Sequence, residues 1–453
     1  MPPLYLDGDE DTKRSLDSWH SLLHVCRRWR GLVFESPRRL KLQLYCTPRT
    51  PARETLNVWP ALPLFIHGDV SETSVDNVIA ELEHSDRIRQ IELSCHTTSQ
   101  LEKIWTAMQV TFPELQALCL SCGDRDLSYE PVLPVSFSAP CLRSLTLAAV
   151  SLQRLPKLFL SATHLIVLCL QDIPHSGYIS PEAMVTCITM LTSLSTLRLQ
   201  FESPRSCPDQ ENRRSPPPTR SILPFLTMFE FKGVNEYLED LLARIDIPRL
   251  SQLSATFFND IDFETPELIR FLSRSSTFNT PNDAHVVFDS RIASFNLRQD
   301  PPHVVHFKVG ISCRATGWQL SSLAQLCTSS LPLLSTTENL YIHERLQSQL
   351  DWKDGVENTE WLELLLPFAA VKGLYLSKQF TPRIAPALQE LTGERATEVL
   401  PALQNIFLEG FQPSGFHEGI GQFVSVRQLT NRPVAVSIWE RYEEKEWPFV
   451  SYW

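Results

Sequence analysis

The chain has 453 residues, 43% of them hydrophobic, with 41 basic against 52 acidic side chains and a formal net charge of -11. That length can bury a sizeable core, while the acid excess argues against phosphate backbones, and so against nucleic acid, as the main partner. No apolar run approaches the roughly 18 residues that span a bilayer, so neither a signal peptide nor a membrane segment is expected.

Residues 1–14 are acidic. Asp7, Asp9 and Asp11 echo the start of a calcium loop, but Thr12 stands where that loop needs glycine and Ser18 where it needs glutamate, so the stretch reads as a solvated tail. Between 19 and 33, Trp19, Leu22, Leu23, Cys26, Trp29 and Val33 recur at helical spacing beside Arg27, Arg28 and Arg30. The apolar face of this helix either docks a partner or caps whatever follows it. Residues 1–38 form the first predicted segment.

From 39 to 438 the chain repeats itself. Leu-x-x-Leu-x-Leu is best preserved at 115–120, 142–147, 165–170 and 194–199, with looser copies at 88–93, 226–231, 250–255, 292–297, 337–342, 371–376 and 403–408. Alternating segments at 40–44, 62–66 and 434–438 add strands at the two ends. Repetition at this period is the signature of leucine-rich repeats, in which each unit buries its apolar face only by stacking on neighbours. Helical patterns at 74–84, 99–110 and 233–245 lie between copies, and Ser180 before Pro181 and Thr265 before Pro266 mark two more helix starts. The expected fold is therefore α/β: an irregular leucine-rich-repeat solenoid, a horseshoe of short parallel strands with return helices. The usual Asn or Cys three residues past the last Leu is replaced by His96, Gly123, Val150, Ile173 and Phe411, so the turns must close by other contacts.

Because strand side chains alternate, the central residue of each copy points away from the core, toward the concave face. In order these are Glu92, Cys119, Thr146, Cys169, Arg198, Glu230, Ser254, Asn296, Tyr341, Tyr375 and Phe407. The last three predict an aromatic ridge, and Arg198, Glu230, Tyr341, Tyr375 and Phe407 are the candidate partner-binding residues. The alternative is that the aromatic C-terminal tail, 439–453, with Tyr442, Trp447, Phe449, Tyr452 and Trp453, folds over the ridge. The segment 202–220 is a Pro, Ser and Arg-rich loop insertion in which Ser215-Pro216 is either a phosphate acceptor or plain loop, and 275–283 reads as a connection.

Chemistry-bearing motifs are missing. Cys119, Cys169, Cys187 and Cys327 lie among aliphatic residues and no Asn-x-Ser/Thr sequon occurs, which favours a reducing compartment, cytoplasm or nucleus. Cys119 and Cys122 form a lone CxxC without the second pair a zinc site needs. There is no phosphate-cradling glycine loop, HExxH or GxSxG. No catalytic residue, metal or cofactor is expected, although a triad assembled from distant positions leaves no local trace.

The string Leu22-Leu23-His24-Val25-Cys26-Arg27-Arg28-Trp29-Arg30 resembles the second half of an F-box, Leu-x-x-Val-Cys-Arg-x-Trp. The words HVCRRWR, SPRRLKLQL and CTPRTPAR, then SATHLIVLCLQDIPHSGYISPEAM and LPFAAVKGLYLSKQF, extend a resemblance to fungal F-box-like, leucine-rich-repeat proteins along nearly the whole chain. The resemblance implies a substrate-recognition subunit of an SCF-type ubiquitin ligase. Leu22, Leu23, Val25, Cys26 and Trp29 would bind a Skp-type adaptor and so a cullin-based ligase, and the concave face would hold a protein target. The opening half of the motif has no counterpart in residues 1–14. Leu22, Leu23, Val25 and Trp29, at roughly 1.5 to 3 kcal/mol each, set about 6 to 12 kcal/mol against an association cost of about 4 to 15. A stand-alone interaction scaffold without ligase association is the alternative expectation.

Overall fold

A computed structural model describes residues 43–440 together with Arg27, Arg28 and Gly31, apart from 59–60, 124–135, 151–154, 207–218, 259–264, 276–277, 279–281, 300–303, 314–315, 331, 346–356, 392–394, 396 and 411–417. The chain divides into two compact units, one formed by residues up to 150 with 154–164, the other by 151–153 with 165–453.

In the first unit five strands, β1 (Leu44–Cys46), β2 (Leu64–Val70), β3 (Ile88–Cys95), β4 (Ala117–Cys122) and β5 (Ser144–Ala148), lie side by side in chain order and pair in parallel. Helices α1 (Ala52–Val58), α2 (Val75–Leu82) and α3 (Thr98–Ala107) connect successive strands, and α4 (Leu155–Ser161) follows. Parallel neighbours in chain order need crossover connections, and crossovers of one hand place the connecting helices on one face. That face is the one the leucines choose: Ile91, Leu118 and Leu145 stand in register, as do Leu93, Leu120 and Leu147, and all six are buried.

The turns close without the usual asparagine. The Gly123 backbone N–H donates to the Cys95 carbonyl at 2.8 Å. The Gln100 side chain, half of a capping box with Thr97 at the start of α3, accepts from the backbone N–H groups of His96 and Thr97 at 2.9 and 3.1 Å. A capping box ties the strand end to the helix start and satisfies donors that would otherwise be orphaned.

The second unit holds β6 (Val167–Ile173), α5 (Pro181–Thr189), β7 (Thr196–Phe201), β8 (Ser221–Ile222), β9 (Met228–Gly233), α6 (Asn235–Arg244), β10 (Ile245–Asp246), β11 (Gln252–Phe258), α7 (Pro266–Arg274), β12 (Asp283–Phe288), β13 (Ile292–Gln299), β14 (Val304–Ser312), α8 (Thr316–Ser330), β15 (Asn339–Glu344), α9 (Asn358–Leu365), β16 (Gly373–Leu376), α10 (Thr381–Gln389), β17 (Asn405–Glu409), α11 (Glu418–Leu429) and β18 (Ala435–Trp439). Its main sheet runs β6-β7-β9-β11-β14-β13-β12-β15-β16-β17-β18, and β8 and β10 form a separate small pair.

One sequence expectation is corrected here. Residues 292–297 do form a strand, β13, but it is antiparallel to both neighbours, β14 and β12, and so is not a repeat strand. Only three residues, 289–291, separate β12 from β13, with the Asp289 N–H bonded to the Ile292 carbonyl at 2.9 Å. So short a link permits a hairpin but no parallel crossover, which needs a dozen residues or more. The wide spacing past Ala255 therefore encloses a three-stranded insertion in reversed order. β14 then pairs in parallel with β11, and β12 with β15, so the core row continues through Val309, Phe295, Val286, Ile342, Leu376 and Leu408.

Of the two helix starts read from proline, Ser180 caps α5 by accepting the Ala183 N–H at 3.3 Å. Thr265 makes no such bond at α7; the Glu239 carboxylate, reaching from α6, accepts the N–H groups of Glu267 and Leu268 at 2.7 and 3.0 Å instead.

Candidate interaction surface

The sheet face away from the helices is built by register. In the first unit, Glu92, Cys119 and Thr146 are consecutive partners, extended by His67 on β2. Tyr45 and Phe65, also partners, bring their rings to 5.3 Å. In the second unit one continuous row runs Cys169, Arg198, Glu230, Ser254, Lys308, Asn296, His285, Tyr341, Tyr375, Phe407 and Ser437. Sequence reasoning missed Lys308 and His285 because their strands carry no Leu-x-x-Leu-x-Leu word. Plain apolar alternation at Val286–Phe288 and Phe307–Ile311 was the available signal.

Two segments of this row have distinct chemistry. Arg198 Nε lies 3.2 Å from Glu230 Oε2, and the Gln200 amide donates to Glu230 Oε1 at 2.7 Å. Both charged side chains are largely buried, so the pair is desolvated and mutually neutralised. Burial pushes the adjacent Cys169 thiol up to about 11, opposed by Arg198 and reinforced by Glu230. A thiol so placed is a poor nucleophile.

The second segment is a ladder of stacked rings. His285 lies on Tyr341 at 4.4 Å and 6°, Tyr341 on Tyr375 at 4.2 Å and 16°, and Tyr375 on Phe407 at 4.3 Å and 9°. Parallel strands about 4.8 Å apart set rings at matched positions close to van der Waals contact, so register makes the stack. Gly373, two residues before Tyr375, lies under it: a Cβ there would come within 2.8 Å of Asn339 Oδ1 and 3.1 Å of the Tyr375 ring. The His285 Nδ1 faces His343 Nε2 at 3.3 Å, and Asn339 donates to Asp283 at 3.0 Å. The Tyr341 hydroxyl is held well above its ordinary range, first by burial, then by the charge of Asp283 and by Tyr375. It stays neutral at any physiological pH.

The expected ridge residues Tyr341, Tyr375 and Phe407 are thus brought together, and each is half-buried. Part of that cover is Trp439, whose indole comes to 5.6 Å from Tyr375 and 5.9 Å from Tyr341. The rest of the tail, 441–453, lies outside the described residues, as do 207–218 of the loop insertion. The adaptor-binding candidates Leu22, Leu23, Val25, Cys26 and Trp29 also lie outside them, while their neighbours Arg27, Arg28 and Gly31 are helical. Cys119 and Cys122 share β4 on opposite faces, Cys122 inward beside its register partner Cys95, so the CxxC cannot close on one ion. Among the described residues no group of three His, Cys, Asp or Glu is arranged to hold a metal, and no helix is long and apolar enough to cross a membrane.

No family model matches the chain, and no curated protein matches it. Among solved structures it is similar to the leucine-rich-repeat-containing protein LegL7 of Legionella pneumophila, at 15% identity over 86% of this chain and 98% of that one, with a TM-score of 0.30.

Proposed function

We propose that the chain is an irregular leucine-rich-repeat solenoid that binds a protein on its strand face, with the aromatic ladder as the central contact. The observation that carries this reading is the ladder itself: three half-buried rings and a histidine stacked in register on the face that, among the described residues, lies away from the connecting helices. A core needs no such row on its outer side, whereas binding energy concentrates on rigid aromatic anchors. No catalytic step is assigned to this face.

The finer reading is that the target is a ligase substrate, the chain serving as the recognition subunit of an SCF-type ubiquitin ligase in cytoplasm or nucleus. Its support is the F-box-like string from Leu22 to Arg30, with Leu22, Leu23, Val25, Cys26 and Trp29 as the contacts to a Skp-type adaptor. Quantitative affinity capture separates the two levels. Trp29→Ala is expected to release the adaptor and keep the target. Combined Ala substitution of Tyr341, Tyr375 and Phe407 is expected to release the target and keep the adaptor. Retention of every partner by the triple variant refutes the ladder as the contact; absence of any Skp-type adaptor from the wild-type capture refutes the ligase assignment and leaves a stand-alone scaffold.

A further inference from the structure

The main sheet of the second unit stops at β18, and among the described residues no strand lies beyond it. Within the sheet the core row is sealed, with Leu376 and Leu408 buried. Its next member, Ile438, the register partner of Leu408, is 58% exposed, and Val436, the partner of Ile406, is half-buried. The Ala435 N–H donates to the Gln404 carbonyl at 2.8 Å. Backbone groups alternate in direction along a strand, so Ala435, Ser437 and Trp439 turn theirs to β17, while Val436 and Ile438 turn theirs to the outer edge. Pro433, two residues before the strand and in phase with Ala435, does not interrupt that edge. An unpaired edge with apolar side chains on the core side, and neither charge nor bulge within the strand, is a template for another strand.

We propose that the occupant of this edge is β18 of a second copy of the chain, paired antiparallel about a two-fold axis through Val436. That register sets Val436 against Val436, Val434 against Ile438 and Arg432 against Glu440, and each unlike contact is made twice because a two-fold interface is self-complementary. Val434, Val436 and Ile438 combine outward backbone groups with core-side side chains, so hydrogen bonds and apolar contacts form together. Arg432 and Glu440 are both exposed and opposite in charge. Arg432 uses one guanidinium nitrogen, Nη1, on the Pro401 carbonyl at 3.1 Å and keeps its other donors for the carboxylate. With Ser437 on the axis instead, the buried Val434 would face the Glu440 carboxylate, so charge and hydropathy together select Val436. A two-fold axis perpendicular to the sheet keeps both strand faces on the same side, and the two copies of Phe407 then stand about 14 Å apart across the strands. The dimer therefore offers two aromatic ladders side by side, and its formation does not depend on what binds them.

Sedimentation velocity of the full chain over a concentration series is the test. The wild type is expected to pass from monomer to dimer as concentration rises. Arg432→Glu and Glu440→Arg each bring like charges together at both ends of the interface, and each is expected to weaken the dimer about tenfold. An equimolar mixture of these two variants makes both pairs complementary again and is expected to associate as the wild type does, as is the double variant. Val436→Pro removes the N–H at the axis without touching a bond to β17. It is expected to leave a monomer whose hydrogen-exchange protection in β17 is unchanged, which separates a lost interface from a lost fold. A wild type that stays monomeric at every concentration overturns the proposal. So does a mixture that associates no better than its two components, or a dimer that survives Val436→Pro.

Discussion

Glu81 is a fully buried titratable group of the first unit. It lies on α2, which also buries Val75, Val78 and Leu82, and its side chain is fully buried with neither carboxylate oxygen hydrogen-bonded. Burial raises its pKa from 4.5 to about 8, so at neutral pH the folded unit keeps it as the neutral acid. An unfolded chain ionises it near 4.5, and the sign follows. Below 4.5 both states hold the proton and Glu81 is no electrostatic burden. Between 4.5 and 8 the unfolded state gains stability by ionising, at about 1.4 kcal/mol per pH unit. Across that gap the folded unit loses roughly 5 kcal/mol, and above 8 the loss is constant. Glu81→Met removes the titrating group at similar volume. The chain has two compact units and need not unfold in one step, so hydrogen exchange of peptides covering α2, corrected for intrinsic rate, is the suitable assay, with second-unit peptides as internal control. Wild-type protection of α2 is expected to fall between pH 5 and 8, and that of Glu81→Met to stay flat and exceed it by several kcal/mol at pH 8. A variant whose protection falls with the wild-type slope refutes the assignment.

Arg427 on α11 is fully buried and donates to the carbonyls of Leu403, Leu400 and Pro401 at 3.1, 3.4 and 3.5 Å. Arg427→Met strands those acceptors and is expected to cost about 2 to 4 kcal/mol, read as faster exchange in α11 and β18 with the first unit unchanged. Glu239→Ala removes the cap of α7 and is expected to cost about 1 to 2 kcal/mol, read as early melting of α7; Glu239→Asp, too short to reach both N–H groups, should recover little of it. Gly373→Ala sets a methyl against Asn339 and the Tyr375 ring. It is expected to cost about 1 to 3 kcal/mol and to broaden the ring-current-shifted resonances of Tyr341 and Tyr375; unchanged ring shifts would mean that the rings do not pack on Gly373.

What was legible in the sequence was whatever one residue type repeated at one spacing. Leu118, Leu120, Leu145 and Leu147 announce parallel strands because each must meet an identical neighbour in register, and that same register assigns Tyr341, Tyr375 and Phe407 to a single row. The reversed hairpin was illegible because antiparallel and parallel strands bury the same alternating pattern; direction is set by the length of the link, here residues 289–291. His285 was lost with it, so the ladder is one ring longer than the leucine words implied. The helix start at Pro266 was legible, but the acceptor that caps α7 was not, for a related reason. Thr265 before Pro266 is a local signal, but the donors it predicts are claimed by Glu239, which lies 28 residues from Glu267 in sequence and is brought there only by the packing of α6 on α7.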